Sequence, residues 1–304
     1  MSKRRRAGGR GARAFDWLFA QFVIVFLKTI RLLPAEAAIA TGGWLGRTFG
    51  PYLPHSRTGR DNLRRAFPDM AAREIEALLR RAWDNLGRTA IEYLFLDRIF
   101  EFDPENPGAG RIEVDGVDCF FKIKEGGKPC IVFTAHLANW ELLAVCAATF
   151  NLDVAVLFRP PNNPILARRL DEMRGRVMGA LIKSRKGALI ELGAVLERGG
   201  HVGLLVDQRF RPGLSLPFFG RPAKVNPALA KLARRYGCDI YAARSIRLPE
   251  GRFRLELTGP IELPRDAAGE IDIEATMAKA TGIVEGWVRE YPEQWLWMHN
   301  RWRP

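Results

Sequence analysis

Cysteine is scarce in this sequence, and the four present are scattered. Cys119, Cys130, Cys146 and Cys238 include no C-x-x-C pair. That argues against a disulfide scaffold and a cysteine zinc site, and for reduced thiols at a cytoplasmic face. The four histidines are far apart, so neither a metal nor a cofactor is expected from them. There is no G-x-S-x-G elbow to present a nucleophilic serine. Acid is in deficit: 34 Asp and Glu stand against 47 Lys and Arg, for a net charge of +13 and a pI of about 10.0. Such a balance calls for an anionic partner: nucleic acid, an anionic membrane or an acidic protein. No nucleic-acid-binding motif accompanies it.

The ends of the chain carry opposite characters. Residues 1–14 hold Lys3, Arg4, Arg5, Arg6, Arg10 and Arg13 and no acid. Trp17 to Leu27 is apolar, with Lys28 and Arg31 directly after it in place of a small-residue cleavage site. The run falls short of the about 20 residues of a full span. It reads as a helix lying in the cytoplasmic interface, with a true span as the alternative. Residues 1–33 are therefore set apart as basic tail and membrane-associated helix. A helical region follows over 34–107, with an apolar helix at Pro34–Thr48 and a helical pair over Asp69–Tyr93. From residue 108 strands alternate with helices. Val154–Phe158, Val202–Val206, Ile240–Ile246 and Phe253–Leu257 read as strands. Pro164–Ile182, Ala188–Glu197, Pro227–Tyr236 and Ile273–Val288 read as helices. This predicts an α/β core over 108–304, a mostly parallel sheet with helices on both faces.

One stretch organises the rest. Ile131, Val132 and Phe133 form a continuous apolar strand that runs into His136, then a turn, then a helix capped at Asn139. His136 thus stands at a strand's carboxyl end, where open α/β sheets place their ligands. Glu141 stands in the first helical turn. An imidazole near its ordinary pKa of about 6.5 accepts a hydroxyl proton near neutral pH, and a carboxylate on its other nitrogen fixes the tautomer. His136 and Glu141 would make that pair if the turn brings them together; a core histidine beside a structural acid is the plainer alternative. Arg159 ends the next strand, Arg176 lies on the helix after it, and Asp207, Gln208 and Arg209 end another. A carboxylate at Asp207 would hold an arginine in the cleft; singly, each is equally readable as a surface charge. Leu216–Ala223 reads as a lid, an acyl-chain wall or a packed loop. Tyr291–Trp302 holds Trp295, Trp297 and Trp302 beside Arg301, and suits either a membrane–water boundary or aromatic core packing.

Taken in order, these blocks resemble the bacterial lipid A late acyltransferases, the lauroyl/myristoyl family: His136-x4-Glu141, Phe158-Arg159-Pro160 with Asn163-Pro164, Arg176, Asp207-Gln208, Phe218-Phe219-Gly220, then Trp297 and Arg301. The likeness covers nearly the whole chain. It implies a fold like glycerol-3-phosphate acyltransferase and an enzyme on the cytoplasmic face of the inner membrane. The donor would be acyl carrier protein, and the acceptor a hydroxyl on a lipid A precursor, an anionic lipid. By matching position, His136 and Glu141 are the catalytic pair, while Arg159, Arg176, Asp207 and Gln208 bind substrate or stabilise an oxyanion. The wider glycerolipid acyltransferases use His-x4-Asp, so Glu141 favours the lipid A branch. Two other readings stand beside this one: acylation of another membrane lipid, and a basic membrane-attached nucleic-acid-binding protein.

Overall fold

The computed structural model describes residues 17, 21, 24, 25 and 27–302, apart from 104, 106–109, 159–162, 164, 166, 169–173 and 176. After helical residues at 27–30, the described residues form α1 (Ala35–Phe49), α2 (His55–Ala66), α3 (Ala72–Glu92) and α4 (Leu96–Ile99), with a 3-10 turn, Gly50–Tyr52, joining α1 to α2. The pair expected over 69–93 is one helix. Ile75, Leu78, Leu79, Ala82 and Trp83 keep a single apolar stripe along it with no breaker between.

The remainder alternates as β1 (Ile112–Asp115), α5 (Val117–Glu125), β2 (Cys130–Thr134), α6 (Glu141–Thr149), β3 (Val154–Phe158), β4 (Leu181–Lys183), α7 (Ala188–Glu197), β5 (His201–Leu205), β6 (Leu214–Phe218), β7 (Arg221–Val225), α8 (Ala228–Tyr236), β8 (Asp239–Arg247), β9 (Phe253–Thr258) and α9 (Ile273–Glu290). Seven strands form one sheet in the order β1-β9-β8-β2-β5-β3-β4. Among the described residues, only its β8–β9 pairing is antiparallel. The mostly parallel α/β sheet expected from the alternation is therefore present.

Period-2 alternation divides the sheet into two faces. Ile131, Phe133, Ala155, Val202 and Leu204 belong to the main core. There α7 meets β5 and α8 meets β2, and the Phe133 ring stacks on Trp287 of α9 at 6.0 Å. Cys130, Val132, Val154 and Val156 belong to the opposite face, with α5 and α6 over it. The tryptophans of the last segment are core residues: Trp295 and Trp297 are fully buried, and Arg301 lies buried over the Phe218 ring at 4.9 Å.

Two sequence expectations are corrected. The helix expected over Pro164–Ile182 cannot reach 182, because Leu181, Ile182 and Lys183 pair with β3 as an edge strand. Leu216–Ala223 is a β-hairpin: β6 and β7 pair antiparallel around Phe219 and Gly220, both at positive φ, as a two-residue primed turn requires. Phe218 and Phe219 are buried against Trp295, Trp297 and Trp302, so the hairpin is part of the core and not a lid. The interfacial helix expected over Trp17–Leu27 falls partly outside the described residues. No helix among the described residues is long and apolar enough to cross a membrane.

Candidate functional site

β2 and β5 are neighbours, so the residues that follow them emerge side by side at their carboxyl ends. The ladder extends past both strands through Val206 N–H to the Thr134 carbonyl, 3.0 Å. One residue further, Asp207 meets His136. The His136 Nδ1 is 2.8 Å from Asp207 Oδ1, and its backbone N–H donates to Asp207 Oδ2 at 2.9 Å. Trp295 Nε1–H donates to the same Oδ2 at 2.9 Å. A carboxylate only accepts, so the His136 proton belongs on Nδ1 and the lone pair on Nε2. The Gln208 amide nitrogen lies 3.1 Å from that Nε2.

Asp207 is buried. Desolvation on its own would raise its pKa, but the His136 ring and the donors from His136 and Trp295 outweigh it and hold the carboxyl well below the usual range. An ionised acceptor is thus built against the ring.

Glu141 does something else. It opens α6 one residue later than expected: the N-cap is Trp140, without a side-chain cap bond, and Asn139 Oδ1 accepts the Glu141 backbone N–H at 3.3 Å. The Glu141 carboxylate turns away from His136. Its Oε1 accepts from the Tyr93 hydroxyl, from Trp140 Nε1–H at 3.0 Å and from Arg174 at 2.6 Å. Burial pushes the Glu141 pKa up, and Arg174 pulls it back. Arg174 is itself buried between the Tyr93 and Phe158 rings, 5.3 and 5.1 Å from their centroids, and its Nε has no hydrogen-bond partner among the described residues. The expected His136–Glu141 contact is therefore replaced by two pairs, His136–Asp207 and Glu141–Arg174. Among the described residues the Asp207 carboxylate, expected to hold an arginine, is bound by His136 and Trp295. Arg159 and Arg176 lie outside the described residues.

The turn between β2 and α6 is held from three sides. Ala138 sits at φ +47°, a strained conformation for a residue with a Cβ. Its N–H donates to the Gln294 carbonyl at 2.9 Å, and its own carbonyl accepts from Thr89 at 3.1 Å. The His136 carbonyl accepts from Leu296 N–H at 3.1 Å. Asn139 donates to Glu92 at 3.0 Å, and Glu92 is bound by Arg247 from the end of β8, one contact being 3.0 Å.

His136, Gln208, Trp140, Glu141 and Arg174 line one cavity of about 700 Å³. From this polar end it continues between the sheet and α5 and α6, along Val132, Val156, Val154 and Gly203 to Leu152, Phe120 and Ile123. Val154 to Phe158 alone spans about 13 Å at about 3.3 Å per residue. An apolar slot ending on a histidine–carboxylate pair can hold a hydrocarbon chain and activate a hydroxyl at its mouth.

Sequence reasoning had not singled out Arg174, Tyr93 or the Trp295 contact to Asp207. Arg174 sits two residues from Arg176, and the sequence carried no signal for choosing between them.

A family model described as bacterial lipid A biosynthesis acyltransferase matches residues 12–304. The Escherichia coli K12 lipid A biosynthesis palmitoleoyltransferase is 25% identical over 282 residues, 89% of this chain and 86% of that protein. A Shigella flexneri lipid A biosynthesis acyltransferase gives the same figures. The E. coli K12 lipid A biosynthesis lauroyltransferase is 24% identical over 249 residues, 80% of this chain and 77% of that protein.

Proposed function

The chain belongs to the bacterial lipid A biosynthesis acyltransferase family, and on that premise we propose that it moves a fatty acyl group from acyl carrier protein to a hydroxyl of a lipid A precursor. The single observation that carries the mechanism is the His136–Asp207 pair at the mouth of an apolar cavity.

In this reading the acyl chain of the donor thioester lies along Val132, Val154, Val156 and Gly203. The acceptor hydroxyl takes the place of the Gln208 amide at His136 Nε2. His136 removes its proton as the oxygen attacks the thioester carbon. Asp207 stabilises the imidazolium. The C–O bond of the new ester forms, the C–S bond breaks, and the proton on His136 passes to the leaving thiolate. Arg174, with its Nε unpartnered among the described residues, stabilises the tetrahedral oxyanion or binds an anionic group, and Glu141 holds that guanidinium in the cleft. Arg159, Arg176 and Gln208 join the substrate-binding group.

Charge supports the choice of partners: an excess of thirteen positive charges suits both an acidic carrier protein and a phosphate-bearing lipid. The free thiols and the basic N-terminal tail fit the cytoplasmic face of the inner membrane.

The test uses detergent-purified protein, carrier protein charged with chains of several lengths, and a tetra-acylated precursor. The expected product is heavier by one acyl group. His136→Ala and Asp207→Asn lower its rate by about 10²–10⁴-fold. Glu141→Gln lowers it without altering the ring tautomer. Transfer near the wild-type rate in His136→Ala and Glu141→Ala alike would remove the mechanism. No product from folded protein with any chain would turn attention to other membrane lipids as acceptor.

A further inference from the structure

Exposed apolar surface is concentrated in one part of the molecule. Among the described residues, nine of the fourteen exposed large hydrophobic side chains fall between positions 17 and 53. The densest part is the corner where α1 runs into its 3-10 turn. Trp44 is 50% exposed, Phe49 54%, Tyr52 78% and Leu53 47%. Single exposed apolar residues are ordinary on soluble surfaces, but such a cluster marks a contact with something else.

The acids of α3 packed against the corner are already paired: Glu76 with Arg60, which also reaches the Pro51 carbonyl, and Asp84 with Arg88. Between positions 17 and 53 the only acid is Glu36, and Arg111 already binds it. Arg47 and Arg57, close in sequence to these rings, are exposed. Tryptophan and tyrosine with flanking arginine suit the headgroup layer of an anionic bilayer, where a ring buries its apolar body and keeps its polar edge wet. A second copy of the chain is the poorer occupant. A twofold contact would set Arg47 and Arg57 against themselves.

The corner is also rigid. A Cβ at Gly87 of α3 would lie 2.2 Å from the Gly42 carbonyl oxygen, and one at Gly46 of α1 would lie 2.2 Å from the Trp83 carbonyl oxygen. The two helix backbones therefore touch, as in small-residue crossings. Trp83 Nε1–H bonds Ser56, whose hydroxyl bonds the Gly50 carbonyl in the 3-10 turn. The same α3 ends beside Tyr93, which meets Glu141 in the cavity.

We propose that Trp44, Phe49, Tyr52 and Leu53 form a preformed docking face that inserts into the headgroup layer of an anionic lipid surface, separate from the apolar run at 17–27. It rests on the proposed reaction only for its purpose, which is to present the cavity to a lipid acceptor. Binding is measured independently of chemistry.

The experiment titrates the full chain with vesicles of phosphatidylcholine alone and of phosphatidylcholine mixed with phosphatidylglycerol. Trp44→Ser/Phe49→Ser/Tyr52→Ser is expected to weaken partitioning tenfold or more on mixed vesicles. Its melting temperature and its transfer rate on detergent-dispersed acceptor stay at wild-type values. Arg47→Gln/Arg57→Gln is expected to weaken binding to mixed vesicles only, and less at high salt. Unchanged partitioning of the triple variant overturns the proposal. So does a wild-type dimer in solution that the triple variant converts to monomer. If the vesicle results hold while no acyl transfer is found, the proposed reaction fails and the docking face stands.

Discussion

Asp207 and Glu141 are both buried carboxylates at one cavity, and their surroundings drive them in opposite directions. Asp207 receives three hydrogen bonds, one of them from the His136 imidazole, and these together with the ring's charge outweigh desolvation and keep its pKa low. Glu141 has Arg174, but burial dominates and its pKa rises. The depressed group makes a pH-dependent contribution to stability. Unfolded, an aspartate titrates near about 3.9; folded, Asp207 titrates lower. Its stabilisation is therefore complete above about pH 4–5 and is lost as pH falls toward the folded pKa. Asp207→Asn is expected to cost about 1–3 kcal/mol at neutral pH by leaving buried donors poorly matched. Denaturant titrations of both proteins across pH should show the gap constant near neutrality and shrinking below about pH 4; a gap that widens in acid would sink this account. His136 was legible in the sequence because a strand ran straight into it. Its partner was not, because Asp207 is distant in the chain and only the β2–β5 pairing brings it there. Closeness in sequence pointed instead to Glu141, which the turn at Ala138 sends to the other side.

At the scale of elements, the β2–α6 turn is the part most dependent on distant support. Glu92 of α3 is 1% exposed at its side chain and Arg247 13%, and the pair also reaches Asn85, Thr89 and Asn139. Removing one member of such a pair leaves a buried charge, at a cost of about 3–5 kcal/mol. Arg247→Met is expected to show that loss together with a fall in kcat, since Ala138 and Asn139 lose their anchorage. The Glu92→Gln/Arg247→Met double variant should regain stability without regaining rate. If stability and rate return together, the network is structural and does not position the turn. Element types were mostly readable: Val154–Phe158 and Ala188–Glu197 have the expected bounds, and the other strands shift by a residue or two. The misreadings have physical causes. Leu181–Lys183 is short, and its pairing with β3 outranks the helical pattern before it. Phe219 takes a positive φ that its residue type does not advertise, so the hairpin was hidden.

Across the whole molecule, the cavity joins the polar site to the sheet face under α5 and α6. Gly203 of β5 lies on its wall, with Val156 and Val154 methyls 3.3 and 3.5 Å from where a Cβ would stand. A strand glycine at such a place leaves room for a close approach. If the acyl chain of the proposed reaction runs there, Gly203→Ala should move donor preference toward shorter chains while those short chains keep most of their rate. The readout is the ratio of products from a mixture of charged carrier proteins. A uniform loss for every length would instead mean that the alanine disturbs the sheet.

The sequence by itself determined the α/β class, the strand-end position of His136 and the basic surface, because local apolar periodicity and charge are written along the chain. Its motif order also pointed to the family. Tertiary structure decided who partners whom. It set Asp207 on His136, Arg174 on Glu141, and the last tryptophans in the core and not at an interface. It also put the exposed aromatic rings at the corner where α1 meets its 3-10 turn. Those outcomes depend on strand neighbours, on backbone approach between helices, and on burial that selects one partner for each polar group. None of these is a property of a short stretch of chain.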